Sequence, residues 1–169
     1  MFKGHVADVV DNLRKKYDEK TANAVGPHVT MAGPCDSDMT DEEVTSILSL
    51  VASKTRSFRL TIMNIDTFLP VSSTSFLRIK PKKRLITIHN KLVSKLGWEE
   101  AFPYHPHVTI TEYLSPKETF EVVSKMRKNK FHETDILDSI ALLQKNQVGK
   151  WILLQEFQLK NIEVNDLIK

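Results

Sequence analysis

The stretch PYHPHVTIT, residues 103–111, sets two histidines around a proline and then runs into alternating β-branched residues. An earlier stretch, GPHVTMAGP at 26–34, repeats its kernel of Pro-His-Val-Thr followed by a hydrophobic residue. Residues two apart on a strand share a face. His28 with Thr30, and His107 with Thr109, would then point one way. Val29 and Met31, and Val108 and Ile110, would point the other way into a core. One such kernel is weak evidence, because the pattern is short; two in matching surroundings decide the reading of the chain.

Each kernel leads through a loop into a capped helix and then a strand. After the first come a helix over Thr40–Ser53, with Thr40 and Glu43 forming a capping box, and a strand over Ser57–Phe68, bent near Asn64. The second kernel opens a strand over His107–Tyr113. It is followed by a helix over Ser115–Asn129, begun by Ser-Pro-Lys-Glu, and a strand over Phe131–Leu143. Before the second kernel stand a strand over Ser75–Lys80 and a helix over Lys83–Leu96, whose Leu85, Ile88, Leu92 and Leu96 share a face before Gly97 stops it. Before the first stands an amphipathic helix over Val6–Ala22, with only MFKGH ahead of it as a stub of strand. Val29–Ala32 is the first kernel's own strand, and a turn at KNQVG (145–149) leads to a last strand over Lys150–Leu159. The duplication predicts an α+β fold of two pseudo-twofold-related lobes, each an antiparallel sheet with helices, around a central cleft. Residues 1–160 read as a single bilobal domain and 161–169 as a C-terminal tail or short helix.

Composition narrows the possibilities. The chain has 169 residues, a net charge of +3 and one cysteine, Cys35, so no intrachain disulfide can form. A reducing, cytoplasmic setting fits that usage. No apolar run is long enough to span a membrane, and the first twenty residues carry the acidic residues and spacing of a helix, not of a targeting leader. The mild positive charge permits an anionic ligand. The densest basic run, KPKKR at 80–84, reads as a solvated strand-to-helix corner.

If a twofold relates the two units, their polar faces meet and supply two imidazoles and two hydroxyls. Imidazole titrates near neutral pH, so one histidine can accept a proton while its twin donates one. Each role is typically worth about 10²–10⁴-fold in rate. Threonine hydroxyls can donate to the non-bridging oxygens of a phosphate. In-line displacement at phosphorus needs acid and base on opposite sides, which such a pair provides without a metal or other cofactor.

The two H-x-T-hydrophobic motifs resemble those of the two-histidine (2H) phosphoesterase superfamily, and within it the LigT-like group often labelled the 2′–5′ RNA ligase family. The resemblance runs over nearly the whole chain. It takes in SFRLTIMNIDTF (57–68), SFLRIK (75–80), the helix end KLGW (95–98), FPYHPHVTI (102–110) and GKWILLQEFQL (149–159). It implies a bilobal fold around a cleft, His28 and His107 as the catalytic pair, and Thr30 and Thr109 as phosphate ligands. The implied substrates are 2′,3′-cyclic phosphates at RNA or nucleotide ends, 2′,5′-linked oligonucleotides, ADP-ribose cyclic phosphate or cyclic-nucleotide messengers, with no metal. A non-catalytic nucleotide-binding module is the alternative of another class. The chain departs from the family pattern at its start, where a full strand usually precedes the first helix.

Other residues are less distinctive. His105 would flank the cleft beside His107, or join it in an H-x-H metal site, although no further ligand pattern accompanies the pair. Tyr104 and Phe102 offer faces on which a base could stack, so Tyr104 and His105 join the candidate substrate-binding residues. Phe76 and Trp151 read as core. Arg78 and Lys80 could reach a phosphate from the neighbouring strand or face solvent. His5, His89 and His132 read as surface residues. No membrane contact and no obligate protein partner is expected.

Overall fold

A computed structural model describes residues 1–33, 39–97, 102–128 and 130–161. Cys35, the close of the helix expected up to Asn129, and nearly all of the expected tail lie outside these residues. Helices α1 (Gly4–Tyr17), α2 (Glu19–Ala24) and α3 (Asp41–Ser53) come first, then strands β1 (Phe58–Thr67) and β2 (Ser75–Lys80). Helix α4 (Lys82–Leu96), β3 (His107–Thr111), α5 (Pro116–Met126), β4 (His132–Leu137), β5 (Ser139–Lys145) and β6 (Trp151–Gln158) complete the order. A four-stranded antiparallel sheet runs β3-β2-β1-β4, and a two-stranded antiparallel sheet pairs β5 with β6. This is the expected α+β architecture, with one sheet much the larger.

Strand alternation explains why the large sheet has one dry and one polar face. Leu60, Ile62, Leu77, Ile79, Val108 and Ile110 are each at most 1% exposed. They join Val6 and Val10 of α1, Leu48 and Val51 of α3, Leu85 and Leu92 of α4, and Val123 of α5 in one core. Full burial of each such side chain stabilises the fold by about 1.5–3 kcal/mol. Cross-strand partners share a face. The pairings Thr61 with Lys80, Arg78 with His107, and Phe76 with Thr109 therefore place a second set, polar apart from Phe76, on the opposite face. The bend expected near Asn64 is a register shift between Ile62 and Ile65.

Local chemistry sets several helix ends. Both capping boxes form: Thr40 with Glu43 at α3, and Ser115 with Glu118 at α5, where Pro116 takes the first turn. Gly97 closes α4 at φ +67°, a left-handed conformation that glycine adopts without penalty. Lys80 and Lys82 flank the strand-to-helix corner as expected, and both are exposed.

Four expectations are corrected. The helix expected over Val6–Ala22 is two helices, because Asp18 leaves helical geometry and caps α2 by accepting from the Thr21 N–H. Residues 1–3 are not a strand; Phe2 N–H donates to the Pro27 carbonyl and the helix starts at Gly4. The strand expected over Phe131–Leu143 is broken at Asp138, so β4 belongs to the large sheet and β5 to the small one. Finally, Val29–Ala32 forms no strand. Among the described residues no strand pairs with it, and the side chains of Tyr104 and His89 hold the Thr30 and Met31 carbonyls instead.

Candidate active site

His107 opens β3, opposite Arg78 of β2. Its Nδ1–H donates to the His105 carbonyl at 2.6 Å. His28 repeats the arrangement without a strand: its Nδ1–H donates to the Gly26 carbonyl at 2.9 Å. A carbonyl can only accept, so both rings carry their proton on Nδ1 when neutral and present Nε2 with its lone pair. Each imidazole is therefore oriented by the carbonyl two residues before it, and the duplicated sequence yields a duplicated hydrogen bond.

The two rings also sense one another. Burial, opposed by the Gly26 carbonyl and helped by the positive charges of Arg14, the N-terminus and His107, lowers the His28 pKa to about 4. Burial lowers His107 as well, against the His105 carbonyl and the Glu112 carboxylate. At neutral pH both imidazoles of the free protein are thus neutral. A bound dianion or monoanion would raise both, because opposite charge favours the protonated ring.

His107 rests on aromatic packing. Its ring lies edge-on to Phe68 at 5.1 Å and tilted against Phe76 at 5.2 Å. Phe68 and Phe76 stack on each other at 4.2 Å, and Phe76 is 2% exposed. Phe76 is core as expected, though on the polar face of the sheet, where it forms the floor under His107. His105 meets the same two phenyl rings, with its ring centre 6.5 Å from that of His107. Burial, with the charges of Lys82 and His107, lowers the His105 pKa, and its Nε2 is buried without a hydrogen-bond partner.

Three contacts link the elements around the two motifs. Asp18, 6% exposed, ends α1 and accepts from the Glu112 and Tyr113 N–H groups at 2.8 and 2.9 Å, just beyond β3. Tyr104 O–H donates to the Thr30 carbonyl at 2.8 Å. His89 Nδ1–H donates to the Met31 carbonyl at 2.8 Å. His89 and Tyr104 stack face to face, 3.7 Å apart and 7° from parallel. One face of Tyr104 is therefore covered, and the residue ties the motifs to each other. His89 is 3% exposed, which corrects its reading as a surface residue; the tie to Met31 and the stack on Tyr104 are what bury it.

Thr109 shares the face of His107 by its pairing with Phe76 and is half-buried. Thr30 is exposed, and with no ladder in its segment the alternation argument does not fix its side chain. Phe102 is 72% exposed, His5 and His132 are exposed, and Trp151 is half-buried.

Sequence reading missed Asp18, Arg14 and the role of His89. Arg14 is 1% exposed, with Nη2 donating to the Thr21 carbonyl at 2.6 Å and Nε and Nη1 lacking hydrogen-bond partners. Burial lowers its pKa while the charges of Asp11, Asp18 and Glu112 hold it up. Its charge reaches His28. A basic helix end ordinarily reads as solvent-exposed, so nothing in the sequence marks Arg14. Asp18 did carry a signal: Asp-Glu-Lys-Thr is a good helix start inside an apparently continuous helix.

The sequence profile of the 2′-5′ RNA ligase superfamily matches residues 2–149. The chain belongs to that superfamily, the 2H phosphoesterases. A Bacillus cereus protein named "Putative phosphoesterase" is 30% identical over 158 residues, covering 91% of this chain and 90% of its own length. An Oceanobacillus iheyensis protein with the same style of name is 28% identical over 156 residues, covering 91% of both chains. In fold, this 2H phosphoesterase resembles TT0787 of Thermus thermophilus, with a TM-score of 0.62 at 12% identity over 96% of each chain. It also resembles E. coli LigT in its complex with 3′-AMP, with a TM-score of 0.57 at 18% identity over 88% of this chain and 92% of that one. Among the described residues, no helix is long and apolar enough to cross a membrane.

Proposed function

We propose that this phosphoesterase hydrolyses a 2′,3′-cyclic phosphate at an RNA or nucleotide end, without a metal or other cofactor, using His28 and His107 as the acid–base pair. One Nε2 takes a proton from water as its oxygen attacks phosphorus. The other gives a proton to the ribose oxygen as its bond to phosphorus breaks. The product is a phosphomonoester beside a free hydroxyl. Thr109, and Thr30 once its side chain turns in, donate to the non-bridging oxygens. His105 and Tyr104 bound the site, His105 as a wall on the Phe68–Phe76 floor and Tyr104 through the tether to Thr30.

The observation that carries this reading is the matched orientation of the two rings. Each has Nδ1 occupied by the carbonyl two residues back, and each leaves Nε2 for a reacting atom. The 3′-AMP in the LigT structure supports it as well, since a 3′-phosphomonoester is the class of product that opening a 2′,3′-cycle yields.

The test is a product assay in chelator over 2′,3′-cyclic nucleotides, 2′,5′- and 3′,5′-linked dinucleotides and cyclic dinucleotides. The expected result is turnover of 2′,3′-cyclic ends, a loss of about 10²–10⁴-fold in each of His28→Ala and His107→Ala, and a double variant little worse than the poorer single, as groups acting as a unit behave. Preference for a 2′,5′-linkage or a cyclic messenger would move the assignment to that substrate. Binding without any product would make the protein a nucleotide-binding module.

A further inference from the structure

One strand away from His107 lies a recess of about 330 Å³ lined by Asn64, Ile65, Asp66, Arg78 and Arg127. We propose that it is a second anionic subsite, holding the phosphate next along a polynucleotide, so that the enzyme prefers an oligonucleotide end to a mononucleotide. The inference rests on placing the reacting phosphoryl group at His107.

Arg78 is the principal observation. It stands directly opposite His107 in the ladder, on the same face of the sheet. Its Nε is buried and makes no hydrogen bond. Among the described residues, no carboxylate lies within ion-pairing distance of its guanidinium. A half-buried guanidinium without an acceptor is unfavourable, and a phosphate oxygen is its best-matched partner, since the planar fork binds two oxygens at once. Asn64, Ile65 and Asp66 of β1, the strand on the far side of β2 from β3, complete the recess. Paired strands lie about 4.8 Å apart, so β1 runs about 10 Å from β3. A phosphate held between Arg78 and the β1 residues is displaced from the one at His107 towards β1, as the next phosphate of a polynucleotide would be.

The rest of the recess agrees in charge and donors. Arg127 Nη2 pairs with Asp66 Oδ1 at 3.2 Å, so the single carboxylate is already neutralised. Asn64 Oδ1 accepts from the Phe131 N–H at 3.1 Å, which leaves its NH₂ to donate.

The experiment compares wild type, Arg78→Ala and Arg78→Lys by fluorescence anisotropy, using a labelled trinucleotide ending in a 3′-phosphate with the matching 3′-mononucleotide as competitor. Melting temperatures are measured in parallel. Arg78→Ala is expected to weaken trinucleotide binding about tenfold at low salt, to leave mononucleotide binding unchanged, and to reduce the slope of log K against log salt by about 0.7. Arg78→Lys should recover the salt slope but not the full affinity. Equal loss for both ligands, no loss for either, or no binding of either by wild type would overturn the proposal. Because binding is read directly, the subsite is decided even if the cyclic-phosphate assay finds no turnover.

Discussion

Asp18→Ala removes the carboxylate that ties the end of α1 to the end of β3. The carboxylate accepts four hydrogen bonds: Thr21 N–H at 3.1 Å, Thr21 O–H at 2.7 Å, and the Glu112 and Tyr113 N–H groups at 2.8 and 2.9 Å. Hydrogen bonds to a charged group contribute about 1.5–3 kcal/mol each, and an orphaned buried donor costs about 1–3 kcal/mol. Arg14 would also lose a nearby counter-charge. These effects overlap, so the expected loss is about 3–5 kcal/mol, as for breaking a buried ionic contact. At about 2–4 °C per kcal/mol for a domain of this size, the melting temperature should fall by about 6–20 °C. Asp18→Asn keeps the acceptor at Oδ2, which serves three of the four donors, and should lose roughly half as much. The pH dependence has a definite sign. Burial pushes the Asp18 carboxyl up, but the Tyr113, Glu112 and Thr21 donors outweigh it and hold the folded value below normal. The contribution is complete above the ordinary carboxylate pKa near 4 and is lost as pH falls through the lower folded value. Thermal melts of the three proteins from pH 3 to 7 measure all of this. An Asp18→Ala variant melting within about 2 °C of wild type would refute the reasoning.

His28 titrates near 4 when folded and near 6.5 when unfolded, so the unfolded chain takes up the proton first and stability falls as pH drops through that window. The loss is at most about 3 kcal/mol, and urea melts of His28→Asn should lack it. Because burial lowers both motif histidines, kcat/KM for a cyclic nucleotide should peak below pH 6.5; a maximum at pH 8 would show that the acid–base pair lies elsewhere. Tyr104→Phe keeps the stack on His89 but removes the tie to the Thr30 carbonyl. It should lower kcat with little change in melting temperature, whereas a rise in KM alone would mark Tyr104 as a plain binding residue.

Elements specified by local chemistry were legible in the sequence. The two capping boxes, the glycine stop at Gly97 and the alternation of Val108 and Ile110 against His107 and Thr109 all report on near neighbours. What escaped depends on partners distant in sequence. The break at Asp18 is held partly by amides of Glu112 and Tyr113, which no helical periodicity reveals. The step from one sheet to the other at Asp138 leaves the β4–β5 run continuous to the eye. The first motif lacks a strand because strand formation requires a ladder partner as well as β-branched residues. Tyr104 reads as a stacking platform until His89, from α4, is seen to occupy its face. The bond from each motif histidine to the carbonyl two residues back is local as well, so the duplicated sequence repeats it.

Soaking crystals with vanadate, which adopts the five-coordinate geometry of phosphorus midway through in-line displacement, addresses the paired imidazoles most directly. One vanadate should bind with its two apical oxygens hydrogen-bonded to the Nε2 atoms of His28 and His107, one on each side. A vanadate bound to only one of the rings, or located away from both, would contradict the account.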